Sequence, residues 1–377
     1  MDSQMRPLEE LKPEIVRRAG RANPFEFAKK ADAEEVVANL TSTDDDHWAE
    51  VWGNIGARYE TLGDQQEQNG DKGCGDSFFQ AYDYYRIARY PVASSPGKVA
   101  GYEASLRNFR KAAKYLDPPI EQIEIPFEGK SIICYLQIPR GVDRPPVVLH
   151  WGGVDGWKED RRKPSEAFHS LGLATMTIDM PGVGESPLLA TDLKAERTFS
   201  VALDYLEKRS DVDGTRLGVM GGSFGGYWAA KVAHVEAKRL KAAVDWGGGV
   251  HLTFQEEWLR PALTTRAEQY LMGPASLRTA RGYIFRSDDL EEILQLAPKL
   301  SLVSQGLIDQ PCAPLLLING KKDDQHPIDD FYLLMEHGDP KEVCIFPDGG
   351  HMGRVPGKSN EPALNTLMTW MHRKLTA

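Results

Sequence analysis

Six short apolar runs in the last two-thirds of the chain constrain its fold more than any other feature. Apolar residues are nearly continuous in these runs, which are PVVLHWGG, ATMTIDMPG, RLGVMGG, KAAVDWGG, PLLLING and VCIFPDGG. Strands covered on both faces have such runs, whereas strands with one solvated face alternate. Helical stretches separate the runs at about 159–171, 192–209 and 224–237, and another closes the chain at about 361–374. The pattern predicts an α/β fold with a doubly wound, mostly parallel sheet.

The N-terminal third differs, because its apolar residues recur at helical spacing, as in AEEVVANL and HWAEVWGNIGARYETLG. The segment NGDKGCGDS interrupts this spacing and is typical of a turn. Asp117-Pro118-Pro119 then ends the last helix, since a proline disfavours helical geometry in the residue before it. We therefore predict a helical domain over 1–118 and an α/β domain over 119–377, which opens with IEQIEIPFEG and SIICYLQIP as an antiparallel pair of strands.

One connection in the α/β domain is too long for a simple crossover. It runs between KAAVDWGG and PLLLING and contains two stretches with helical spacing, HLTFQEEWLRPALTTRAEQYL and SDDLEEILQLAPKL. We predict a helical insertion there, over about 251–310.

Composition excludes several classes of partner. The net charge of −10 comes without any Lys/Arg-rich run, which argues against nucleic acid and anionic membranes. The apolar runs are too short to span a bilayer, and the N-terminus lacks the apolar segment of a secretory signal. The four cysteines form no CxxC pair, which argues against a zinc site and favours reduced thiols. We expect a cytoplasmic protein with no metal and no cofactor.

The strongest chemical signal is Gly221-Gly222-Ser223-Phe224-Gly225, which lies between the apolar run RLGVM and a helical stretch. G-x-S-x-G between a strand and a helix is typical of a nucleophile elbow, a sharp turn that exposes the serine. The turn leaves little space around the serine, so its neighbours must be glycines. A chance match in a glycine-rich chain is the alternative, and the strand–helix setting argues against it. The motif predicts Ser223 as a nucleophile.

A serine nucleophile needs a base that is oriented by an acid, and in this architecture the order is Ser, Asp, His. His351 follows the last apolar run in a glycine-rich loop and is the predicted base. Asp323 follows PLLLING and is the preferred acid, with Asp324 and Asp245 as alternatives. His326 lies too close to the acid to be the base, and we expect it to be a solvated loop residue.

The oxyanion of the reaction needs two backbone N–H donors. The first is predicted at Phe224, directly after the nucleophile and at the start of a helix. The second is predicted in the glycine-rich loop after PVVLH, at Gly153 or Val154, with Val154 preferred. A plain tight turn is the alternative for this loop.

Together, HWGG, DMPGVGES, GGSFGGYW, NGKKDD and DGGH resemble the α/β-hydrolase superfamily over residues 120–377 in motif order and spacing. The helical N-terminal domain and GGVDGWKED narrow the resemblance to the FrsA-like esterase and 2,6-dihydroxypseudooxynicotine hydrolase family. The resemblance implies that Ser223, Asp323 and His351 form a catalytic triad and that the helical parts cap the active site. It also implies cleavage of esters or of carbon–carbon bonds beside a ketone, and it suggests a homodimer.

The resemblance further implies a substrate-binding role for Asp155, which stands where a relative has glutamate. An ordinary turn aspartate is the alternative. Trp151 beside this loop and Trp258 in the insertion are predicted to bind substrate as well, since aromatic residues near the site indicate an apolar pocket. The alternative is that such aromatic residues only pack the cap against the sheet. We predict a serine hydrolase acting on a small aromatic or polyketide-like substrate. The alternatives are a prolyl-oligopeptidase-like peptidase, whose β-propeller the helical first third does not match, and a non-catalytic binding protein.

Overall fold

The computed structural model describes residues 5–267, 270–355 and 357–377 of the chain. Its N-terminal part is helical, as the apolar spacing predicts. The helices are α1 (Leu8–Arg18), α2 (Lys30–Asn39), α3 (Asp45–Gln68), α4 (Cys74–Ala88) and α5 (Pro96–Ala112).

The apolar spacing does not predict α4. This helix is buried along nearly its whole circumference, with Phe78, Tyr82, Tyr84 and Ile87 all inside. The glycine-rich segment NGDKGCGDS, which is typical of a turn, overlaps the first residues of this helix and obscures its start. The hydroxyl of Tyr84 donates to a carboxylate oxygen of Asp32, and that of Tyr85 donates to Glu60 at 2.9 Å.

The rest of the chain forms one eight-stranded sheet with the order β1-β2-β4-β3-β5-β6-β7-β8. Its first two strands pair antiparallel, as predicted, and the strands from β3 to β8 run parallel. The strands are β1 (Glu121–Phe127), β2 (Lys130–Gln137), β3 (Pro146–Trp151), β4 (Ala174–Ile178), β5 (Asp213–Gly222), β6 (Leu240–Trp246), β7 (Leu315–Gly320) and β8 (Glu342–Phe346). The predicted α/β fold with a mostly parallel sheet is confirmed.

Helices connect the parallel strands, and the predicted ones at about 159–171, 192–209, 224–237 and 361–374 are all present. The helices after β3 are α6 (Arg162–Ser170), α7 (Arg197–Glu207), α8 (Phe224–Val235), α9 (Glu256–Pro261), α10 (Pro274–Phe285), α11 (Leu290–Leu296), α12 (Asp329–Glu336) and α13 (Glu361–Thr376). All six residues of β3 and all six of β7 are buried, which accounts for their continuous apolar runs.

The segment predicted as a helical insertion contains α9, α10 and α11. The first predicted helix, over 251–271, is shorter in the structure, because α9 covers only Glu256–Pro261 and a π-helical turn follows at Ala262–Arg266. The residues 268 and 269 of that prediction lie outside the described residues. The spacing does not predict α10, which begins at the proline of the pair Gly273-Pro274, and such a pair by itself favours a turn.

The chain divides into two units. One contains Glu121–Gln269 and Ala280–Ala377, and the other contains Gln4–Ile120 and Tyr270–Thr279. No helix among the described residues is long and apolar enough to cross a bilayer.

Candidate functional site

Ser223 lies in the sharp turn between β5 and α8. Its backbone has φ 57° and ψ −131°, a conformation that residues other than glycine rarely adopt. A Cβ atom at Gly221 would lie 1.9 Å from the carbonyl oxygen of Gly225, and one at Gly225 would lie 2.1 Å from that of Gly152. Larger residues at these two positions would therefore clash and disrupt the turn. This is the steric reason for glycines beside the serine that the motif predicts.

A continuous line of hydrogen bonds joins three side chains from separate loops. Oγ of Ser223 lies 2.7 Å from Nε2 of His351, and Nδ1 of His351 lies 2.8 Å from Oδ2 of Asp323. An ionised carboxylate only accepts hydrogen bonds, so Nδ1 carries the proton and Nε2 is left to accept the serine proton. The arrangement can therefore remove a proton from Ser223 and stabilise the resulting imidazolium.

The carboxylate of Asp323 is held by further donors. Its Oδ2 accepts from the side-chain amide of Asn319 at 2.8 Å, and its Oδ1 accepts from the backbone N–H of Gln325 at 2.8 Å. The amide oxygen of Asn319 in turn accepts from the backbone N–H of Met352 at 2.9 Å. Asn319 thus ties the loop of the acid to the loop of His351. The sequence does not point to this residue, because an asparagine at the end of a buried strand belongs to no motif.

The alternative acids differ from Asp323 in their surroundings. Asp245 ends β6 with no exposed surface, and its Oδ1 accepts from the backbone N–H of Gly248 at 2.7 Å. Burial raises the pKa of Asp245 to about 7, with a smaller contribution from Asp330. Asp324 is half-buried and adjoins Asp323 in the chain. The geometry therefore favours the predicted Asp323, which contacts His351 directly.

The loop predicted to form part of the oxyanion hole lies against the nucleophile. A Cβ atom at Gly153 would lie 2.7 Å from Cβ of Ser223 and 3.1 Å from its Oγ. The carbonyl oxygen of Val154 accepts from the indole N–H of Trp157 at 3.1 Å, which fixes the loop. Phe224, the other predicted donor, is the first residue of α8, where a backbone N–H has no acceptor within the helix.

A buried ion cluster anchors the far end of this loop. Nζ of Lys158, whose side chain is fully buried, lies 2.7 Å from Asp179 and 2.8 Å from each of Glu159 and Glu185. The backbone N–H of Lys158 also donates to Asp179 at 2.9 Å. Burial raises the pKa of Glu159, against the opposing effect of the Lys158 charge. The cluster joins the loop after β3 to the loop after β4, and the sequence alone did not reveal it.

The predicted substrate-binding residues have different environments. Trp151 is fully buried, donates its indole N–H to the carbonyl oxygen of Gly225 at 2.8 Å and stacks on Phe199. These contacts make Trp151 a support for the elbow, and a contact of its ring with substrate stays a prediction. Trp258 is half-buried and donates to the carbonyl oxygen of Gln325 at 3.1 Å. Asp155 follows Val154 and is half-buried.

His326 is not the solvated residue that the sequence suggests. It has no exposed surface, and its ring lies nearly parallel to that of His351, with ring centres 5.5 Å apart. Nε2 of His326 lies 2.8 Å from a guanidinium nitrogen of Arg281, and Nδ1 lies 2.8 Å from the hydroxyl oxygen of Thr253. The expectation was wrong because the insertion supplies both partners, far away in the chain, that bury this loop.

Comparisons with known proteins identify the family of this chain. A family model described as "Esterase FrsA-like" matches residues 27–376. The 2,6-dihydropseudooxynicotine hydrolase of Paenarthrobacter nicotinovorans is 27% identical over 267 residues, which cover 70% of this chain and 71% of that protein. The esterase FrsA of Photobacterium profundum is 26% identical over 296 residues, which cover 77% of this chain and 69% of that protein.

Solved structures share the fold. The crystal structure of the 2,6-dihydroxy-pseudo-oxynicotine hydrolase superposes with a TM-score of 0.77 at 22% identity, covering 97% of this chain and 95% of that one. Wild-type AbyA5 superposes with a TM-score of 0.75 at 21% identity, with the same coverage. The family match over nearly the whole chain, together with the sheet and the elbow, shows that this protein belongs to the FrsA-like esterase family and has the α/β-hydrolase fold.

Proposed function

We propose that this protein is a serine hydrolase that cleaves a carboxylic ester, or the carbon–carbon bond beside a ketone, in a small aromatic or polyketide-like substrate. The observation that carries the proposal is the unbroken line of hydrogen bonds from Ser223 through His351 to Asp323. A serine hydroxyl is a weak nucleophile unless an adjacent base accepts its proton. The proposed steps use side chains, backbone N–H groups and water alone.

In the first half-reaction, Oγ of Ser223 attacks the substrate carbonyl carbon while Nε2 of His351 takes the hydroxyl proton. The N–H groups of Phe224 and Val154 bind the negative oxygen of the tetrahedral intermediate, with Gly153 N–H as the alternative donor. The intermediate collapses, His351 protonates the departing group, and the acyl group stays on Ser223. Asp323 remains ionised throughout and stabilises the imidazolium.

In the second half-reaction, water attacks the acyl carbon and gives a proton to Nε2 of His351. The resulting intermediate releases the carboxylic acid, and the proton returns to Oγ of Ser223. The enzyme is then restored without net change, so each cycle consumes one water molecule.

Cleavage of a carbon–carbon bond makes an additional demand. An ester releases an alkoxide that His351 can protonate, whereas a ketone releases a carbanion that must be stabilised as an enol or phenol. An acidic group that binds and polarises a hydroxyl of the substrate meets this demand. Asp155 is our candidate, because it directly follows Val154 in the loop that lies against Ser223. The relatives include proteins named as esterases and a protein named as a pseudooxynicotine hydrolase. The experiment below therefore tests both ester hydrolysis and carbon–carbon cleavage.

The experiment combines a covalent probe with a substrate panel. A fluorophosphonate should label the wild-type protein at Ser223 and leave Ser223→Ala unlabelled, with the variant folded as judged by circular dichroism. Aryl esters, hydroxyaryl β-diketones and short peptides are then compared as substrates. Loss of the nucleophile should lower kcat by about 10⁴-fold or more. If Ser223→Ala keeps activity within tenfold of wild type, the proposal is wrong.

A further inference from the structure

We propose that His326, held by Arg281 and Thr253, is a positioning residue whose ring face keeps the His351 ring in the plane that joins Ser223 to Asp323. The inference rests on the proposed function, since it gives His351 the role of the base. It adds two residues to the arrangement of Ser223, His351 and Asp323. These are a second histidine, His326, and a cation, Arg281, and the sequence motifs include neither.

The hydrogen bonds of His326 assign it one protonation state. A guanidinium group only donates, so the 2.8 Å contact from Arg281 makes Nε2 of His326 an acceptor. The proton of the neutral ring is then on Nδ1, which donates to the hydroxyl oxygen of Thr253 at 2.8 Å. Both edges of the ring are therefore bonded, and its orientation is determined by two side chains from other segments.

The ring of His326 stacks beside that of His351 in an offset, nearly parallel arrangement. The two rings are 5.5 Å apart between centres and tilted by only 22°. His351 uses its two nitrogens for Ser223 and Asp323, so its hydrogen bonds restrain the ring within its plane. A neighbour on its face restrains the remaining motion, which is tilting out of that plane. The backbone N–H of His326 also donates to Oδ1 of Asp323 at 3.2 Å, so the positioning ring and the acid move together.

The charges near His326 are compatible with its role in positioning His351. His351 becomes positively charged during the proposed reaction, and a second imidazolium on its face would oppose that step. Arg281 prevents this, because protonation of His326 at Nε2 would set two donors against each other. The charged and titratable groups around His326 are Arg281, His351 and Asp323, while Asp330 accepts from the backbone N–H of Thr253 at 3.0 Å. Burial first, and then Arg281, lower the pKa of His326 well below its ordinary value.

Arg281 is itself placed by the elbow. It is 4% exposed, and its guanidinium lies 4.5 Å from the ring centre of Phe224, the residue after the nucleophile. A guanidinium over an aromatic face is a favourable contact in a buried setting. The elbow, the insertion and the loop of the acid therefore meet at Arg281 and His326.

The experiment compares His326→Ala, which removes the ring, with His326→Phe, which keeps a ring face and fills the same space. We expect kcat for a p-nitrophenyl ester to fall about tenfold or more in His326→Ala with KM within about twofold, because small misplacement of a reacting group is costly. His326→Phe should recover at least about threefold of that loss.

Arg281→Met removes a nearby cation, which makes the His351 imidazolium easier to form. The acidic limb of the kcat/KM profile of this variant should therefore move to higher pH.

A matched control is His150, which is also fully buried and bonded to a hydroxyl group, that of Ser165, at 3.1 Å. His150→Phe should alter stability while kcat of the folded protein stays within twofold of wild type. Fluorophosphonate labelling of wild-type Ser223 is measured first, since its failure would contradict the proposed function whatever His326 does. With labelling intact, the inference is overturned if kcat of His326→Ala stays within twofold of wild type, if His326→Phe recovers nothing, or if the pH profile of Arg281→Met does not move.

Discussion

Nδ1 of His351 lies 2.8 Å from Oδ2 of Asp323, although 28 residues separate them in the chain. The two follow β8 and β7, which are parallel neighbours in the sheet. The carboxyl ends of parallel strands lie at the same edge, so the loops that follow them meet there. The sheet therefore brings Asp323 and His351 together from separate loops. Each residue can be substituted separately to test its role.

Asp323→Asn should lower kcat by roughly 10⁴-fold, because an amide in place of the carboxylate favours the wrong tautomer of His351. Asp324→Asn is the matched control, with the same chemical change one residue along the chain, and should retain kcat within tenfold. Steady-state kinetics on an aryl ester measures both. A larger loss in Asp324→Asn than in Asp323→Asn would transfer the role of the acid to Asp324.

Asp155→Asn should separate the two proposed chemistries. Cleavage of a hydroxyaryl ketone should fall by about 10²-fold, the usual contribution of one acid–base group. Hydrolysis of p-nitrophenyl acetate should be spared, because its leaving group needs no such help. Parallel kcat/KM measurements on the two substrates show whether Asp155 serves only carbon–carbon cleavage. Equal losses on both substrates would show that Asp155 is a structural turn residue.

Lys158→Met should destabilise the fold by about 3–5 kcal/mol, because it leaves buried carboxylates without their cation. The carboxylate partners are Asp179, Glu159 and Glu185. The loss should be smaller at pH 5 than at pH 8, since burial raises the pKa of Glu159 and protonation removes its charge at the lower pH. Urea unfolding at both pH values provides the measurement.

The control for this change is Lys30→Met, which breaks an exposed pair with Glu34. Its free energy of unfolding should change by no more than about 0.5 kcal/mol at either pH, since exposed pairs contribute little. A similar, pH-independent effect of the two substitutions would mean that the Lys158 cluster does not hold buried charge.

Asp245→Asn should stabilise the protein at high pH and leave its stability unchanged at low pH. The pKa of Asp245 is raised to about 7 in the folded protein, above its ordinary value. The stability that this carboxyl contributes is therefore fully present below about pH 4 and is lost as pH rises through 7. At pH 8 the variant should gain on the order of 3 kcal/mol, since one pKa unit corresponds to about 1.4 kcal/mol.

Thermal unfolding of Asp245→Asn at pH 4 and pH 8 tests this directly, with Asp143→Asn in an exposed loop as the matched control. The control should show the same change in Tm at both pH values. An Asp245→Asn protein that is less stable than wild type at pH 8 would mean that Asp245 is ionised and stabilised in the folded chain.

The local features of the site were predictable because they arise from neighbouring residues. Ser223 could be identified as the candidate nucleophile because a strand, a turn of glycines and a helix stand next to one another in the chain, and a Cβ atom at Gly221 or Gly225 would clash with a backbone oxygen. His351 and Asp323 could be identified because a parallel sheet brings the ends of its late strands together. The missed helix α4 shows the limit of such reasoning, because a glycine-rich segment typical of a turn, NGDKGCGDS, overlaps its first residues.

The sequence by itself determined the order of the strands along the chain, the elbow and the candidates for base and acid, since periodicity and turn chemistry depend on nearby residues. Only the tertiary structure decided which aspartate contacts His351, that Asn319 ties the two loops together, and that His326 is buried between Arg281 and His351. The partners of His326 come from residues 45 and 73 positions away in the chain. Contacts at such separations depend on how elements pack, and no pattern within a single segment records them.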